Sequence, residues 1–279
     1  MVGAFNDRGR NAIRGDNGSW GELYTKPTHG FIAQGAEHFD AGKAKNVGEM
    51  MKGINPNAGA NPEQTINYAS CHDNFTLFDQ LNWTLSEDGG TTEPDIEVVA
   101  RASVAVNGMV LMSNGVSFIH GGEEIFRSKI LTDEDPDDSG HETQMYGKRI
   151  SHNSYMYSDE CNSYKYERKV QLLEYFEMYA ALIDLRKELQ AALYPKNTAE
   201  SYDLVNTWDV DDKDTAIATY RKGVDGENYY ILFNGRSENA HIDSTEHRDV
   251  LFNNGGNVTY SYGYVLPTKY QLVVMKGEK

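Results

Sequence analysis

The chain has 279 residues, 24% of them charged, and a formal net charge of −16. It is longer than an average single domain, and the negative charge argues against binding to nucleic acid or to an anionic membrane surface, because both would repel it. No run of 18 apolar residues is present, so we predict no membrane span, and a neutral ligand suits this composition.

The first elements that the sequence predicts are short. Residues 1–14 predict a strand, VGAF, that runs into the polar stretch NDRGRNAIRGD. Residues 46–53 predict a short helix that ends at Gly53, since glycine commonly follows the end of a helix. After a loop that is dense in Asn, Gly and Pro, the apolar run INYAS at 66–70 predicts a strand.

A helix and a second strand follow that strand. In residues 95–115 the apolar side chains recur at intervals of three and four, with Asp95 placed as the N-cap and Gly115 placed to end the helix. VSFIH at 116–120 predicts the second strand. The order strand, helix, strand is typical of a parallel sheet with crossover helices.

The rest of the chain predicts a change of architecture. Residues 130–167 predict a long loop, and residues 167–189 predict the strongest helix. Beyond this helix, short alternating runs broken by Gly, Asn and Asp predict antiparallel strands. We therefore expect an α/β domain over 1–194 and an antiparallel β-sandwich over 195–279.

The strand INYAS ends in Cys71-His72-Asp73-Asn74, a cluster of polar and reactive side chains. A His-Asp pair at this place has four interpretations: a pair that fixes a loop, a phosphohydrolase metal pair, part of a nucleophile triad, or a glycosidase carboxylate beside a histidine that binds sugar hydroxyls. A metal pair normally lies on a helix, and no Gly-x-Ser-x-Gly elbow is present. The two cysteines form no CxxC pair, so we expect neither a zinc site nor a disulfide framework.

Five segments in order distinguish among these interpretations. AFNDRGRNAIRGD, GFIAQG, NYASCHDN, VSFIHGGEEIFRSK and HNSYMYSDECNSYKYERK together resemble type I pullulanases of the alpha-amylase superfamily. The resemblance implies a (β/α)8 barrel followed by a C-terminal β-sandwich. It also implies retaining hydrolysis of α-1,6-glucosidic linkages in pullulan, starch or glycogen.

The resemblance also implies roles for individual residues. Asp73 matches the carboxylate that stabilises the transition state, and His72 matches a ligand of the same sugar. The residues that it implies in substrate binding are His72, Asn74, Asn153, Tyr155 and Asp159. Met156 and Phe75 depart from the family's pattern, and we expect Phe75 to pack in the core. His120 and Glu123 are interpreted as structural.

The resemblance also predicts an absence. Segments similar to GFRFD and GEGW, which carry the family's nucleophilic aspartate and acid glutamate, are not found in the chain. We therefore expect strands six to eight of a barrel, from the C-terminal part of a longer protein, and no activity from this chain alone. Because three strands cannot close a barrel, we expect exposed sheet edges and self-association through them.

Three further expectations concern metals, function and location. An EF-hand loop that begins at Asp133 would need Gly at 138 and Glu at 144, where Asp and Gln stand, so the acidic run is interpreted as a solvated loop. No cofactor is expected to be required, and a structural calcium ion elsewhere stays open. The alternative functions are a non-catalytic α-glucan-binding or scaffold protein, with Tyr260, Tyr262 and Tyr264 on one face of a strand, and α-1,4 activity. We favour an extracellular or cell-surface location over a cytoplasmic one.

Overall fold

The computed structural model describes residues 4–16, 28–29, 41–58, 62–86, 88, 90–138, 140–193, 205–209, 216–223, 225–235, 240–243, 248–260 and 263–277. The motif GFIAQG and the predicted domain boundary at 194/195 lie outside these ranges. The helices are α1 (Asp7–Arg14), α2 (Ala41–Met51), α3 (Leu77–Thr84), α4 (Ile96–Leu111), α5 (Asp159–Asn162), α6 (Tyr166–Gln171) and α7 (Leu173–Leu193). Within the described ranges, no helix is both long enough and apolar enough to cross a bilayer.

Among the described residues, the strands fall into five sheets. They are β1 (Ala4–Phe5), β2 (Gly15–Asp16), β3 (Thr28–His29), β4 (Thr65–Tyr68), β5 (Val116–Phe118), β6 (Glu142–Met145), β7 (Lys148–Ser151), β8 (Val205–Asp209), β9 (Ala216–Lys222), β10 (Asn228–Asn234), β11 (Ala240–Asp243), β12 (Asp249–Asn253), β13 (Thr259–Tyr260), β14 (Gly263–Leu266) and β15 (Gln271–Gly277).

A three-stranded parallel sheet has the order β1-β4-β5. Helices α3 and α4 connect β4 to β5, which confirms the predicted parallel pair with a helical crossover. The rings of Phe5, Tyr68 and Phe118 contact one another edge to face, with centroids 4.9 to 6.4 Å apart. In the part of the chain that the structure describes, β1 and β5 are the open edges of this sheet.

Helix α4 begins as the sequence predicts, but it ends at Leu111, with Met112 as the C-cap, before Gly115 is reached. An Asp95 carboxylate oxygen accepts a hydrogen bond from the Glu97 N–H at 2.8 Å, which caps the first turn. Gly115 has φ +92°, and a Cβ atom there would lie 2.7 Å from the Pro62 carbonyl oxygen. Glycine is therefore required by both the backbone conformation and the close approach of another segment.

The antiparallel strands form a five-stranded sheet, β12-β15-β10-β9-β8, and a three-stranded sheet, β11-β14-β13. One face of β10 carries Tyr229, Ile231 and Phe233, which pack in the same core as side chains of α4 and α7. Its other face carries Tyr230 and Leu232, which pack against residues of the three-stranded sheet. Because β10 is covered on both faces, it is a nearly continuous apolar run. The helical and antiparallel parts therefore share one core.

Two predictions about the middle of the chain are wrong in detail. The predicted loop over 130–167 contains the hairpin β6–β7 and the short helix α5. The hairpin turns at Tyr146 and Gly147, both with positive φ, as a type I′ two-residue loop requires. The predicted single helix over 167–189 is two helices, α6 and α7, because the backbone leaves helical geometry at Leu172 (φ −117°, ψ 38°).

The prediction for the C-terminal tyrosines is also wrong. Tyr260 lies on β13 and Tyr264 lies on β14, and they are partners in an antiparallel pair with ring centroids 5.1 Å apart. Tyr262 lies outside the described residues. The antiparallel pairing places the two rings side by side across strands, so alternation along a single strand does not apply.

The acidic run at 133–138 is a largely exposed loop, as expected, with the exception of Asp135. Asp135 is buried, and its carboxylate accepts hydrogen bonds from the Thr132 and Ser158 N–H groups, both at 2.8 Å. These bonds hold the pKa of Asp135 at about 2, against a rise from burial. Through these two bonds, the Asp135 carboxylate joins the segment that precedes β6 to the N-terminus of α5.

Candidate functional site

An open cleft lies at the carboxyl ends of β4 and β5, where parallel strands present their following loops on one edge of the sheet. Its volume is about 330 Å³. The side chains that line it come from the turn after β4, the segment after β5 and the segment after β7: His72, Asp73, His120, Arg127, Lys129, Asn153, Ser154, Tyr155 and Asn162.

Of the residues that the sequence placed in the site, four lie in this lining and two do not. His72, Asp73, Asn153 and Tyr155 come together in the cleft although about 80 residues of sequence separate the two pairs. The Asn74 and Asp159 side chains are not part of the lining. Asn74 follows with φ +65°, and Asp159 opens the short helix α5 in an exposed position.

The His72–Asp73 pair is open to solvent. His72 Nε2 lies 3.4 Å from Asp73 Oδ2, and the two side chains are 85% and 64% exposed. A polar contact this exposed adds little to stability, so we do not expect the pair to be needed for folding. Both side chains are accessible to a ligand that enters the cleft.

The turn that carries this pair is anchored on both sides. It follows β4, and it ends where Thr76 caps α3, with Thr76 Oγ1 accepting from the Asp79 N–H at 3.1 Å. Phe75 is buried, and its ring meets Trp83 edge to face at 5.4 Å. The expectation that Phe75 packs in the core is confirmed.

The opposite wall of the cleft is built by the segment after β7. Ser154 Oγ donates to Asn162 Oδ1 at 2.7 Å, and Asn162 Nδ2 returns a bond to the Ser154 carbonyl at 2.9 Å. Arg127 donates to the Asn162 carbonyl at 2.9 Å. These bonds fix the loop that presents Asn153 and Tyr155 to the cleft.

Sequence reasoning missed five residues of the lining. His120 was interpreted as structural, and Arg127, Lys129, Ser154 and Asn162 were quoted in motifs but given no role. The strand-end position of His120, which parallels that of His72, is the signal that could have identified it. Burial, followed by the nearby cations Arg127 and Lys129, lowers the pKa of His120 to about 4, so its imidazole is neutral at pH 7.

Beneath the cleft lies a buried carboxyl group. Ser70 and Asn107 each donate a hydrogen bond to the Glu123 carboxyl group, with Asn107 Nδ2 at 2.5 Å from Oε2. Burial raises the pKa of Glu123 to about 7, although Arg14 opposes the rise. This network connects the end of β4, the segment after β5 and helix α4, and supports the interpretation of Glu123 as structural.

The cleft is lined by polar and charged groups that can bind hydroxyl groups. In the lining drawn from the described residues, Asp73 is the single carboxylate, and Arg127 and Lys129 are the basic side chains. Imidazole, amide, hydroxyl and phenol groups complete the lining, and these donate to and accept from hydroxyl groups. No group of three or more potential metal-ligating side chains is found in the described ranges.

Comparisons with known proteins point to one class of enzyme. No protein-family model matches the chain. The pullulanase of Bacillus subtilis is 28% identical over 194 residues, which cover 67% of this chain and 22% of that protein. The chloroplastic pullulanase 1 of Arabidopsis thaliana is 31% identical over 174 residues, which cover 50% of this chain and 17% of that protein. The chain thus resembles pullulanases, as its motifs predict, and spans about a fifth of the length of these two relatives.

A solved structure extends the likeness over the whole chain. The pullulanase SAP of group B Streptococcus in complex with maltotetraose superposes with a TM-score of 0.76 at 22% identity, and the match covers 100% of this chain and 39% of that one. At this identity the likeness shows a shared fold.

Proposed function

We propose that the chain supplies part of the substrate cleft of a pullulanase-type glycoside hydrolase, which cleaves α-1,6-glucosidic linkages in pullulan, starch or glycogen by a retaining mechanism. The observation that carries the proposal is the exposed His72–Asp73 pair in an open cleft that also contains Asn153 and Tyr155. The sequence similarity to pullulanases supports the same conclusion.

In this proposal the cleft holds one glucose unit of an α-glucan. The Asp73 carboxylate accepts hydrogen bonds from sugar hydroxyl groups and stabilises the positive charge of an oxocarbenium-like transition state. His72, 3.4 Å away, binds the same unit through its imidazole. Asn153 and Tyr155 contact the sugar from the opposite wall, where the 73% exposed Tyr155 offers a ring face for stacking. A maltotetraose complex of a protein with the same fold is consistent with this class of ligand.

The architecture that we propose follows from the sheets. The parallel order β1-β4-β5 with helical crossovers fits strands six to eight of a (β/α)8 barrel. The two antiparallel sheets that pack face to face fit a C-terminal β-sandwich. This arrangement puts the His72–Asp73 pair at the end of a barrel strand, where such folds carry their chemistry.

Retaining hydrolysis needs a nucleophilic carboxylate and a separate acid. Since Asp73 is the single carboxylate in the lining drawn from the described residues, we expect the 279-residue chain to bind α-glucan without hydrolysing it. A purely non-catalytic, glucan-binding role is the alternative that this observation favours.

Calorimetric titration with maltotetraose tests the proposal. Hydrogen bonds to a charged group contribute about 1.5–3 kcal/mol, so D73N should weaken binding about tenfold or more. D184N is the matched control, because Asp184 is an exposed, ion-paired carboxylate on α7. Undetectable binding by the unmodified chain, or equal affinity of D73N and D184N, would reject the proposed site. Reducing sugar released from pullulan by the chain alone would reject only the expected inactivity.

A further inference from the structure

Lys129 is a buried cation that faces the turn carrying the His72–Asp73 pair. The residue is 1% exposed, although lysine is almost never this buried unless its charge is paired. Its Nζ donates to the His72 carbonyl oxygen at 2.9 Å and to the Asn74 carbonyl oxygen at 3.1 Å. One ammonium group therefore binds the two carbonyl oxygens that flank Asp73.

Lys129 is itself held at the junction of the two walls of the cleft. Its N–H donates to Asp79 Oδ2 at 2.9 Å, which fixes it to α3, and its carbonyl accepts from the Ser151 N–H at 2.9 Å, which fixes it to β7. The chain then continues from β7 to Asn153. A single residue thus connects the His72–Asp73 turn with the loop on the opposite wall.

The turn has a backbone conformation that these bonds can hold. Asn74 has φ +65°, in the left-handed region, which asparagine adopts more readily than other non-glycine residues. Charge-assisted hydrogen bonds are roughly twice as strong as neutral ones, so the ammonium group is a suitable donor to hold this conformation.

The surroundings of Lys129 shift its pKa in opposite directions. Burial and the neighbouring Arg127 lower its pKa, whereas Asp79, Cys161 and Asp73 raise it. The Asp79 carboxyl group also accepts from Ser128 Oγ, and burial raises its pKa. Asp73 lies in the lining of the cleft.

We propose that Lys129 is a positioning residue, which holds the His72–Asn74 backbone so that Asp73 and His72 project into the cleft. Its effect on ligand binding rests on the function proposed above, whereas its effect on the turn does not. Neutral side chains of similar length would keep the packing and lose the two bonds.

The test compares K129M with K129R and with the control K148M, since Lys148 is a partly exposed residue of β7 that pairs with Glu93. Amide hydrogen exchange, read by mass spectrometry on peptides that cover 72–75, should become about tenfold faster in K129M. It should be partly restored in K129R, which keeps charge and donors, and unchanged in K148M. Maltotetraose affinity should fall in the same order, by about tenfold in K129M.

Each outcome decides the proposal. Unchanged exchange at 72–75 in K129M, or equal acceleration in K148M, overturns the positioning role. Faster exchange with unchanged maltotetraose affinity overturns the link between the turn and ligand binding. Faster exchange in a chain that never binds maltotetraose supports the positioning role and refutes only the proposed function. If circular dichroism shows that K129M does not fold, the same measurements are made on K129Q and decide in its place. The shorter Gln side chain keeps an N–H donor but cannot span both carbonyls.

Discussion

The buried carboxyl group of Glu123 makes a quantitative prediction about the pH dependence of stability. Its pKa lies at about 7 instead of 4.5, because burial penalises the charged form. Each pH unit between the pKa values of the folded and unfolded states corresponds to about 1.36 kcal/mol, so ionised Glu123 costs about 3 kcal/mol.

The sign follows from which state binds the proton more tightly. Below pH 4.5 both states are protonated, and burial of the neutral group has no such cost. Between pH 4.5 and 7 only the folded state keeps the proton, so the free energy of unfolding falls as the pH rises. Above pH 7 the full cost of about 3 kcal/mol is present and constant.

E123Q removes this titration and keeps the shape of the side chain. The Gln amide can accept from Asn107 and donate to Ser70, as a protonated carboxyl group would. We therefore expect the free energy of unfolding of E123Q to exceed that of the unmodified chain by up to about 3 kcal/mol as the pH rises from 4.5 to 8. Urea unfolding followed by circular dichroism measures this difference. E134Q, at an exposed position, is the control. Parallel stability curves for E123Q and the unmodified chain would refute this reasoning.

Two further predictions concern a glycine and a sheet edge. G115A should lower the free energy of unfolding, measured in urea, by more than G147A does. Both glycines have positive φ, which costs another residue about 1–3 kcal/mol of strain, but a Cβ atom at 115 would lie 2.7 Å from the Pro62 carbonyl oxygen, whereas one at 147 would meet nothing within 4 Å. Equal losses would show that the close approach does not matter. The chain should self-associate with rising concentration through β5, where Val116 is 48% exposed, and V116K should reduce this association in light scattering after size exclusion. A monomeric chain at all concentrations would exclude this edge as an interface.

The features that the sequence predicted well are those with a local cause. The Asp95 cap and the strand before His72 each depend on a few neighbouring residues, and each is found in the structure. The break at Leu172 and the β6–β7 hairpin were missed. The apolar spacing that predicts a single helix over 167–189 shows no interruption at Leu172. A Tyr-Gly turn lacks the Asn-Gly or Asp-Gly signal that usually marks a two-residue hairpin.

The site shows the same limit at the level of side chains. A motif fixes the order of residues along the chain, but it does not fix which side of a turn each side chain faces. Asn74 and Asp159 belong to the same motifs as His72, Asp73, Asn153 and Tyr155, yet they are not part of the cleft lining, and their role in substrate binding stays a prediction. The role of Lys129 was beyond the reach of local patterns. Its bonds to His72 and Asn74 span 57 and 55 residues of sequence, and a lysine is expected at the surface until a fold supplies acceptors for it. The polar residues that end strands can therefore be identified from sequence as candidates for chemistry, whereas the buried groups that orient them emerge only when distant segments are brought together.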